Sequence, residues 1–332
     1  MQPRSPDFKA IRIDQGPEGH RAAYVDMTED ELMAGDVDVD VSHSAINFKD
    51  GLAITGARPV VRRYPMIPGV DLAGRVTRSR HDSFVPGDIV VATGCGLGEA
   101  HFGGFAQKAR LNADWLVKLP KSLTPAQAMA IGTAGLTAAL CVLALERYGL
   151  SPANGPAVVT GAAGGVGSFA VALLAQKGWR VTAVTGRAQE ADYLRALGAQ
   201  NILSRDALTT PGKLLQSQNF AAGIDTVGGL TLANLLAQTQ FDGAIAACGN
   251  VGGMELPTSV APFILRGVAL LGVESVRPRL ALRQQAWVRL ANDLDVQALE
   301  AMTEIIPFTQ ALDRAKTIVK GAIRGRIVIE MP

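Results

Sequence analysis

At 332 residues, 48% hydrophobic and with 36 glycines, the chain has enough apolar material for two packed cores and too much to be disordered. Its 32 basic and 30 acidic residues leave a formal net charge of +2, so no global field favours nucleic acid or an anionic membrane, and a small-molecule partner is expected. Cys95, Cys141 and Cys248 are odd in number and far apart, which excludes reading a disulfide framework or a metal knuckle and fits a reducing compartment.

In chain order, "MQPRSPDFKAIRID" carries acidic residues and no apolar run, unlike a secretory signal or a transit peptide, so the cytoplasm is the expected location. "DVDVDV", Asp36 to Val41, alternates strictly, sending valines to one face and carboxylates to the other of a half-buried strand. Just beyond it, "SAINFKDG" sets Asn47, Phe48, Lys49 and Asp50 side by side at what reads as a strand end. Further short runs, "PMIPGVDLAGRV", "VPGDIVVATGCG" and "HFGGFAQKARL", are punctuated by Pro-Gly and Gly-Gly, which suggests a compact, barrel-like β domain.

After Pro120 the pattern changes. Ala128 to Leu145 runs without a charge and reaches spanning length. Gly132, Thr133, Gly135 and Thr137 dilute it, and it reads as a buried helix. Helical segments then alternate with the strands "PAVVTG", "RVTAVTG", "QNILS", "GIDTVGG" and "AIAACGN", which implies a parallel, doubly wound sheet. From about Arg279 two helical patterns lead to "GRIVIE", a strand able to return to the first domain. The expected fold is α/β: a β-rich domain over 1–123 and 279–332, and a nucleotide-binding domain over 124–278.

The strongest chemical signal is "VVTGAAGGVGSFAVALLAQKG", where a buried strand enters a glycine turn and then a helix. Aligned on its last glycine, the turn is a dinucleotide fingerprint with alanine first: Ala162 keeps the turn tight, Gly164 admits the pyrophosphate and Gly167 lets helix and strand pack. The phosphates then meet unpaired N–H groups at the helix start. At the end of the next strand Thr185, Gly186 and Arg187 stand where an NAD site would present a carboxylate. A hydroxyl and a guanidinium suit a 2′-phosphate, so NADPH is expected over NADH, in preference to the alternative that Arg187 is a solvated arginine at a helix start. The four histidines, His20, His43, His81 and His101, show no ligand spacing, no four-cysteine zinc lobe is present, and no metal is expected. The absence of GxSxG disfavours a hydrolase.

The chain resembles the zinc-free medium-chain dehydrogenases/reductases of the quinone-oxidoreductase type, and within them the acryloyl-CoA reductase (AcuI/YhdH) family. The resemblance rests on "NFKDGLAITG", "YPMIPGVDLAG", "GLGEAHFGGFAQKARLNADWLVKLP", "AMAIGTAGLTAALCVLALE", "VVTGAAGGVGS", "AVTGR", "IDTVGG", "ACGNVGG" and "PFILRGVALLGVESV", and spans nearly the whole chain. Zinc-dependent relatives carry Gly-His-Glu where this chain has Gly69-Val70-Asp71. The resemblance implies a GroES-like catalytic domain joined to a Rossmann domain, and NADPH-dependent reduction of acryloyl-CoA to propanoyl-CoA. An unsaturated thioester is already electrophilic at its β-carbon, so the site must mainly position it and supply donors to the thioester oxygen.

The same resemblance places Ala163, Gly164, Gly165 and Val166 around the pyrophosphate, and Thr185 to Arg187 with Arg205 at the 2′-phosphate. It sets Asn250 and Ile264 beside the nicotinamide half, with Ser275 and Arg326 closing the site; a surface position in a terminal strand is the other reading of Arg326. In "GARPVVRRYP", Arg58, Arg62 and Arg63 are either a solvated loop or receivers of coenzyme A phosphates. Family members usually have tyrosine where this chain has Phe48, a ring that packs on the cofactor but cannot donate a proton. Water, a hydrogen bond from Asn47 or Lys49, or drift toward a quinone or alkenal acceptor could answer that loss. Lys49 and Asp50 are read equally as a structural ion pair or as catalytic groups. A quinone or alkenal reductase and a non-catalytic NADPH-binding protein are the alternatives. Family precedent suggests a homodimer, by edge pairing through Ala269 to Ser275.

Overall fold

The alternation at Asp36 to Val41 becomes the first half of the strand Val37–Ile46, with Val37, Val39 and Val41 buried and Asp40 exposed. The computed structural model describes residues 7–17, 19–321 and 323–332; part of the N-terminal stretch read above lies outside them. The chain divides into two units, Met1–Thr133 with Val276–Ala291 and Leu299–Pro332, and Ala134–Ser275 with Asn292–Ala298.

In the first unit Val37–Ile46 pairs antiparallel with Asp71–Ser79, Lys108–Leu111 and Arg326–Glu330. Asp71–Ser79 continues the sheet to Ile89–Thr93 and Leu116–Lys118. "GRIVIE" therefore does return to this unit. Beside it, parallel to Arg326–Glu330, lies Thr303–Pro307, a strand the tail's two helical patterns did not suggest, because only Ile306 of its five residues is buried. A hairpin, Phe8–Gly16 with Gly19–Met27, is stitched on by Ile11 N–H to the Phe105 carbonyl and by reciprocal bonds between Ile13 and Met66. Ile11, Ile13, Ile46, Met66, Ile67, Leu72, Phe105 and Leu111 fill its core. Each such side chain contributes about 1.5–3 kcal/mol of burial.

The second unit holds a six-stranded, wholly parallel sheet. Its spatial order is Ala199–Ser204, Val181–Thr185, Ala157–Val159, Phe220–Asp225, Thr239–Ala247, Ala269–Gly272. The order reverses between Ala157–Val159 and Phe220–Asp225, the point beside which open α/β sheets bind nucleotides. "GIDTVGG" is only half strand: it ends at Asp225, and Gly229 already opens the helix Gly229–Ala237.

The uncharged run lies in the helix Pro125–Tyr148, and 89% of its most apolar window is buried inside the protein, as a core helix requires. Non-helical angles at Gly132 (φ 48°, ψ −156°) interrupt it, one residue before the first segment of unit one ends.

Candidate active site

In the second unit the turn after Ala157–Val159 feeds the helix Gly165–Gln176, with Gly164 as its N-cap. The residue that bends the turn is Gly161, at φ 58°, and not Ala162, which is fully buried with ordinary angles. Gly167 fits its expected packing place: an added Cβ would stand 2.3 Å from the Gly161 carbonyl oxygen and 2.6 Å from the Ala162 Cα. Ala163 is buried, while Gly164, Gly165 and Val166 keep partial access to solvent at the helix start. Backbone N–H groups there can receive a pyrophosphate.

Ser204 pairs in register with Thr185, which brings Arg205 alongside Gly186; a Cβ on Gly186 would lie 2.8 Å from the Arg205 Cζ. Thr185 Oγ1 accepts the Arg187 N–H at 3.1 Å, and Arg187 Nη2 donates to the Ala163 carbonyl at 2.8 Å. Arg187 is thus tied to the glycine turn, while Arg205 is exposed and, among the described residues, its side chain has no hydrogen-bond or ion-pair partner. A hydroxyl and two guanidinium groups converge here with no carboxylate at positions 185–187, a donor set suited to a phosphate.

A knot around Asp225, missed in the sequence, fastens the loops on this side of the sheet. Thr160 Oγ1 donates to Asp225 Oδ1 at 2.6 Å and accepts the Thr226 N–H at 3.1 Å, while the Gly228 N–H donates to Asp225 Oδ2 at 2.7 Å. Burial raises the Asp225 carboxyl above its ordinary value, against the pull of those donors. The Cys248 N–H donates to the Asp225 carbonyl, and the Gly252 N–H to that of Val227. Asn250 joins the knot: its Cα lies 3.3 Å from a Cβ built on Gly228. Ile264, 72% exposed on the helix Ala261–Arg266, and half-buried Ser275 have no hydrogen bond to the turn among the described residues.

In the first unit "SAINFKDG" is not a continuous strand end. The strand stops at Ile46, Asn47 caps, and Phe48–Thr55 is a helix. Asp50 reaches back to accept the Asn47 N–H at 2.8 Å, as in a capping box, and its other oxygen takes the Gly69 and Val70 N–H groups at 3.1 and 3.0 Å. Burial drives its carboxyl up to about 7, with Asp71 adding to the rise and the backbone donors opposing it. The ion pair between Lys49 and Asp50 is not formed: Lys49 Nζ holds Glu99 Oε1 at 2.7 Å. Phe48 is 37% exposed, leaving its ring available to a ligand.

Arg326 is neither a surface residue nor a free ligand for a cofactor. It is 4% exposed, and Nη1 donates to Asn47 Oδ1 at 2.8 Å while Nε donates to the Ala130 carbonyl at 2.9 Å. Nη2 lies 3.5 Å from Asp71 Oδ2. Burial pulls Arg326 below the usual arginine value, and Asp71, then Asp50, hold it up. Asp71, fully buried, also accepts from Asn47 Nδ2 at 2.8 Å, the Thr133 N–H at 2.9 Å and Thr133 Oγ1 at 2.5 Å. Both ends of the Asn47 amide are therefore committed, so it is a support and not a free donor. Asp71, Thr133 and Glu99 were missed; a carboxylate inside the apolar run "GVDLAG" was the available signal.

Arg58, Arg62 and Arg63 occupy the exposed loop after this helix. Among the described residues no group of three or more His, Cys, Asp or Glu could hold a metal ion. The three cysteines are free thiols, and the Cys248 thiol donates to the Asp225 carbonyl at 3.4 Å.

Comparison with known proteins agrees with both halves. The alcohol dehydrogenase GroES-like domain matches residues 33–121, and the zinc-binding dehydrogenase domain matches residues 165–291. The chain is 47% identical to the acrylyl-CoA reductase AcuI of Ruegeria pomeroyi, over 98% of this chain and 99% of that one. The yhdH oxidoreductase from Salmonella enterica, solved in complex with NADP, superposes at a TM-score of 0.96 with 47% identity, covering 98% of this chain and 100% of that one. A chloroplast envelope quinone oxidoreductase homolog of Arabidopsis thaliana is 36% identical over 81% of each chain. The chain belongs to the medium-chain dehydrogenase/reductase family, with acrylyl-CoA reductases and quinone oxidoreductases among its relatives.

Proposed function

We propose that this protein reduces the carbon–carbon double bond of a short α,β-unsaturated acyl-CoA, acryloyl-CoA to propanoyl-CoA, with NADPH as reductant. The observation that carries this reading is the 47% identity to AcuI over nearly the full length of both chains. The cofactor site fits: Gly167 leaves no room for a side chain against the turn, and Arg187, Arg205 and Thr185 gather where a 2′-phosphate needs donors. NADPH supplies the hydride. The nucleotide-binding domain is assigned to 124–278 and the substrate domain to 1–123 and 279–332.

The first unit's task is to hold the thioester and meet the charge that develops on its oxygen. Asn47 and Asp50 are spent on internal hydrogen bonds, so they position the helix that carries Phe48. Lys49, 38% exposed, gives one N–H to Glu99 and keeps the others for substrate. Water then remains the proton source for the α-carbon, in place of the hydroxyl that Phe48 lacks. A quinone or alkenal reductase is the second reading, favoured by that missing hydroxyl.

The edge strand Ala269–Gly272, near exposed Ile264 and Leu265, supports a homodimer by edge pairing. Three free cysteines support a cytoplasmic location. Steady-state assays with NADPH and NADH in parallel, against acryloyl-CoA, crotonyl-CoA, acrolein and a naphthoquinone, test the function. The highest kcat/KM is expected for NADPH with acryloyl-CoA. Preference for the quinone or acrolein, or binding of NADPH without turnover, would overturn the reading.

A further inference from the structure

The segment "GARPVVRRYP" after the helix Phe48–Thr55 holds three arginines and no acid. Arg58, Arg62 and Arg63 are all exposed, and among the described residues the side chains of Arg58 and Arg63 have no hydrogen-bond or ion-pair partner. The loop is nevertheless anchored. Val60 and Val61 pack against the first unit's core, and the Arg62 N–H donates to the Glu99 carbonyl at 2.8 Å. Tyr64, 41% exposed, meets the His20 ring edge-on at 6.2 Å. Half-buried valines and a pinned backbone thus hold guanidinium groups and an aromatic surface in solvent.

Glu99 links this loop to the start of the helix. It is 7% exposed; Oε1 holds Lys49 Nζ at 2.7 Å, and Oε2 lies 3.8 Å from Arg62 Nη2. The second contact is long and Arg62 is 66% exposed, so such a pair contributes little and is released at little cost. Glu99 faces two cations, Lys49 and Arg62, and Arg58 and Arg63 in the same acid-free segment add to a local excess of positive charge although the whole chain is nearly neutral. The planar, permanently charged guanidinium pairs bidentately with phosphate, and an exposed tyrosine offers a face to a base.

We infer that this loop binds the adenosine 3′-phosphate 5′-diphosphate end of the acyl-CoA, with Arg58, Arg62 and Arg63 on its phosphates, Tyr64 under the adenine and Glu99 as the hub. The inference rests on the acyl-CoA reading above. When phosphate engages Arg62, Glu99 is left to Lys49 alone, which ties occupation of the subsite to the residue following Phe48. The loop's cations serve a second nucleotide, the one carried by the substrate.

The test compares acryloyl-CoA with acryloyl-pantetheine, the same thioester without the nucleotide. Arg58→Ala, Arg62→Ala and Arg63→Ala should each lower the ratio of kcat/KM for the two substrates by about tenfold. An unchanged ratio in all three variants overturns the inference. Calorimetry of adenosine 3′,5′-bisphosphate at saturating NADP+ reads the subsite without turnover. Binding to the parent protein that is weakened at least tenfold in the Arg58→Ala/Arg63→Ala variant supports the subsite, and binding that is absent or unaltered overturns it. A parent protein that binds the bisphosphate through this loop but reduces only the quinone would refute the proposed reaction while the subsite stands.

Discussion

Replacing Arg205 with alanine should strip the enzyme of its preference for NADPH while leaving NADH almost untouched. Arg205 is exposed, has no side-chain partner among the described residues and stands against Gly186, so its loss breaks nothing inside the protein. On the proposed assignment it loses a charge-assisted bond to a 2′-phosphate, about 1.5–3 kcal/mol, or roughly 10- to 150-fold in kcat/KM for NADPH. Arg187 differs, because its Nη2 also holds the Ala163 carbonyl at 2.8 Å. Arg187→Ala should therefore weaken NADPH by a similar factor and NADH by several-fold, through loosening of the glycine turn. Initial rates at varied cofactor and fixed acryloyl-CoA give the four constants. If Arg205→Ala lowered both cofactors equally, or left their ratio where it was, the assignment of the 2′-phosphate site would be wrong.

Gly167→Ala should disrupt the packing of turn and helix, since its Cβ would meet backbone atoms at 2.3 and 2.6 Å; a loss of about 1–3 kcal/mol in urea unfolding and a raised KM for NADPH are expected. Arg326→Met strands the buried Asp71 carboxylate and should cost about 3–5 kcal/mol, part of which the added change Asp71→Asn recovers in a double-mutant cycle. Phe48→Tyr restores a phenolic donor and should raise kcat modestly or leave it unchanged; a collapse would show that the ring's surroundings exclude a hydroxyl. For Asp50, whose carboxyl lies at about 7 in the folded protein against 3.8 ordinarily, the folded state keeps a proton that the unfolded state has lost. Its contribution to stability is therefore full below 3.8 and falls as pH rises to about 7. Urea unfolding across that window should show a shallower decline for Asp50→Asn than for the parent, and identical slopes would contradict it.

Features carried by contiguous residues were legible, and those assembled from distant ones were not. The nucleotide turn is local: strand, glycines and helix follow one another within Val158 to Gly178, so each physical requirement leaves its own mark. Even there the bending residue was misplaced by one, because alanine and glycine look alike to a spacing rule, whereas the positive φ falls on Gly161. Arg205 comes to Gly186 through strand register, information that two separate apolar runs do not contain. The Asp225 knot joins residues 65 apart, and Asp71 meets Arg326 across 255 positions. Both left a trace as a charge inside an otherwise buried run, a pattern that demands a partner without saying which. "SAINFKDG" shows the converse: asparagine followed by aspartate three residues later resembles a helix capping pattern, outweighed in reading by the alternating strand before it.

The Asp71 cluster explains how this first unit organises a buried carboxylate at the position the resemblance gives to a zinc ligand. Oδ2 is shared among Asn47 Nδ2, the Thr133 N–H and Arg326 Nη2, and Oδ1 takes the Thr133 hydroxyl. The helix Pro125–Tyr148 breaks at Gly132, where a Cβ would fall 2.5 Å from both the Arg326 Nη2 and the Asp71 Oδ2. Arg326 then caps the carbonyls of Met129 and Ala130 at the end of one helical segment, and Asp71 caps the N–H of Thr133 at the start of the next. Each charge faces the helix end of opposite sign, so the break helps solvate the ion pair that occupies it. Asn47 bridges the two charges and begins the helix that presents Phe48. On the proposed function the pair would serve chemistry indirectly, by fixing the angle of the ring that Phe48 presents, and loss of either charge should then disturb substrate placement even where the fold survives.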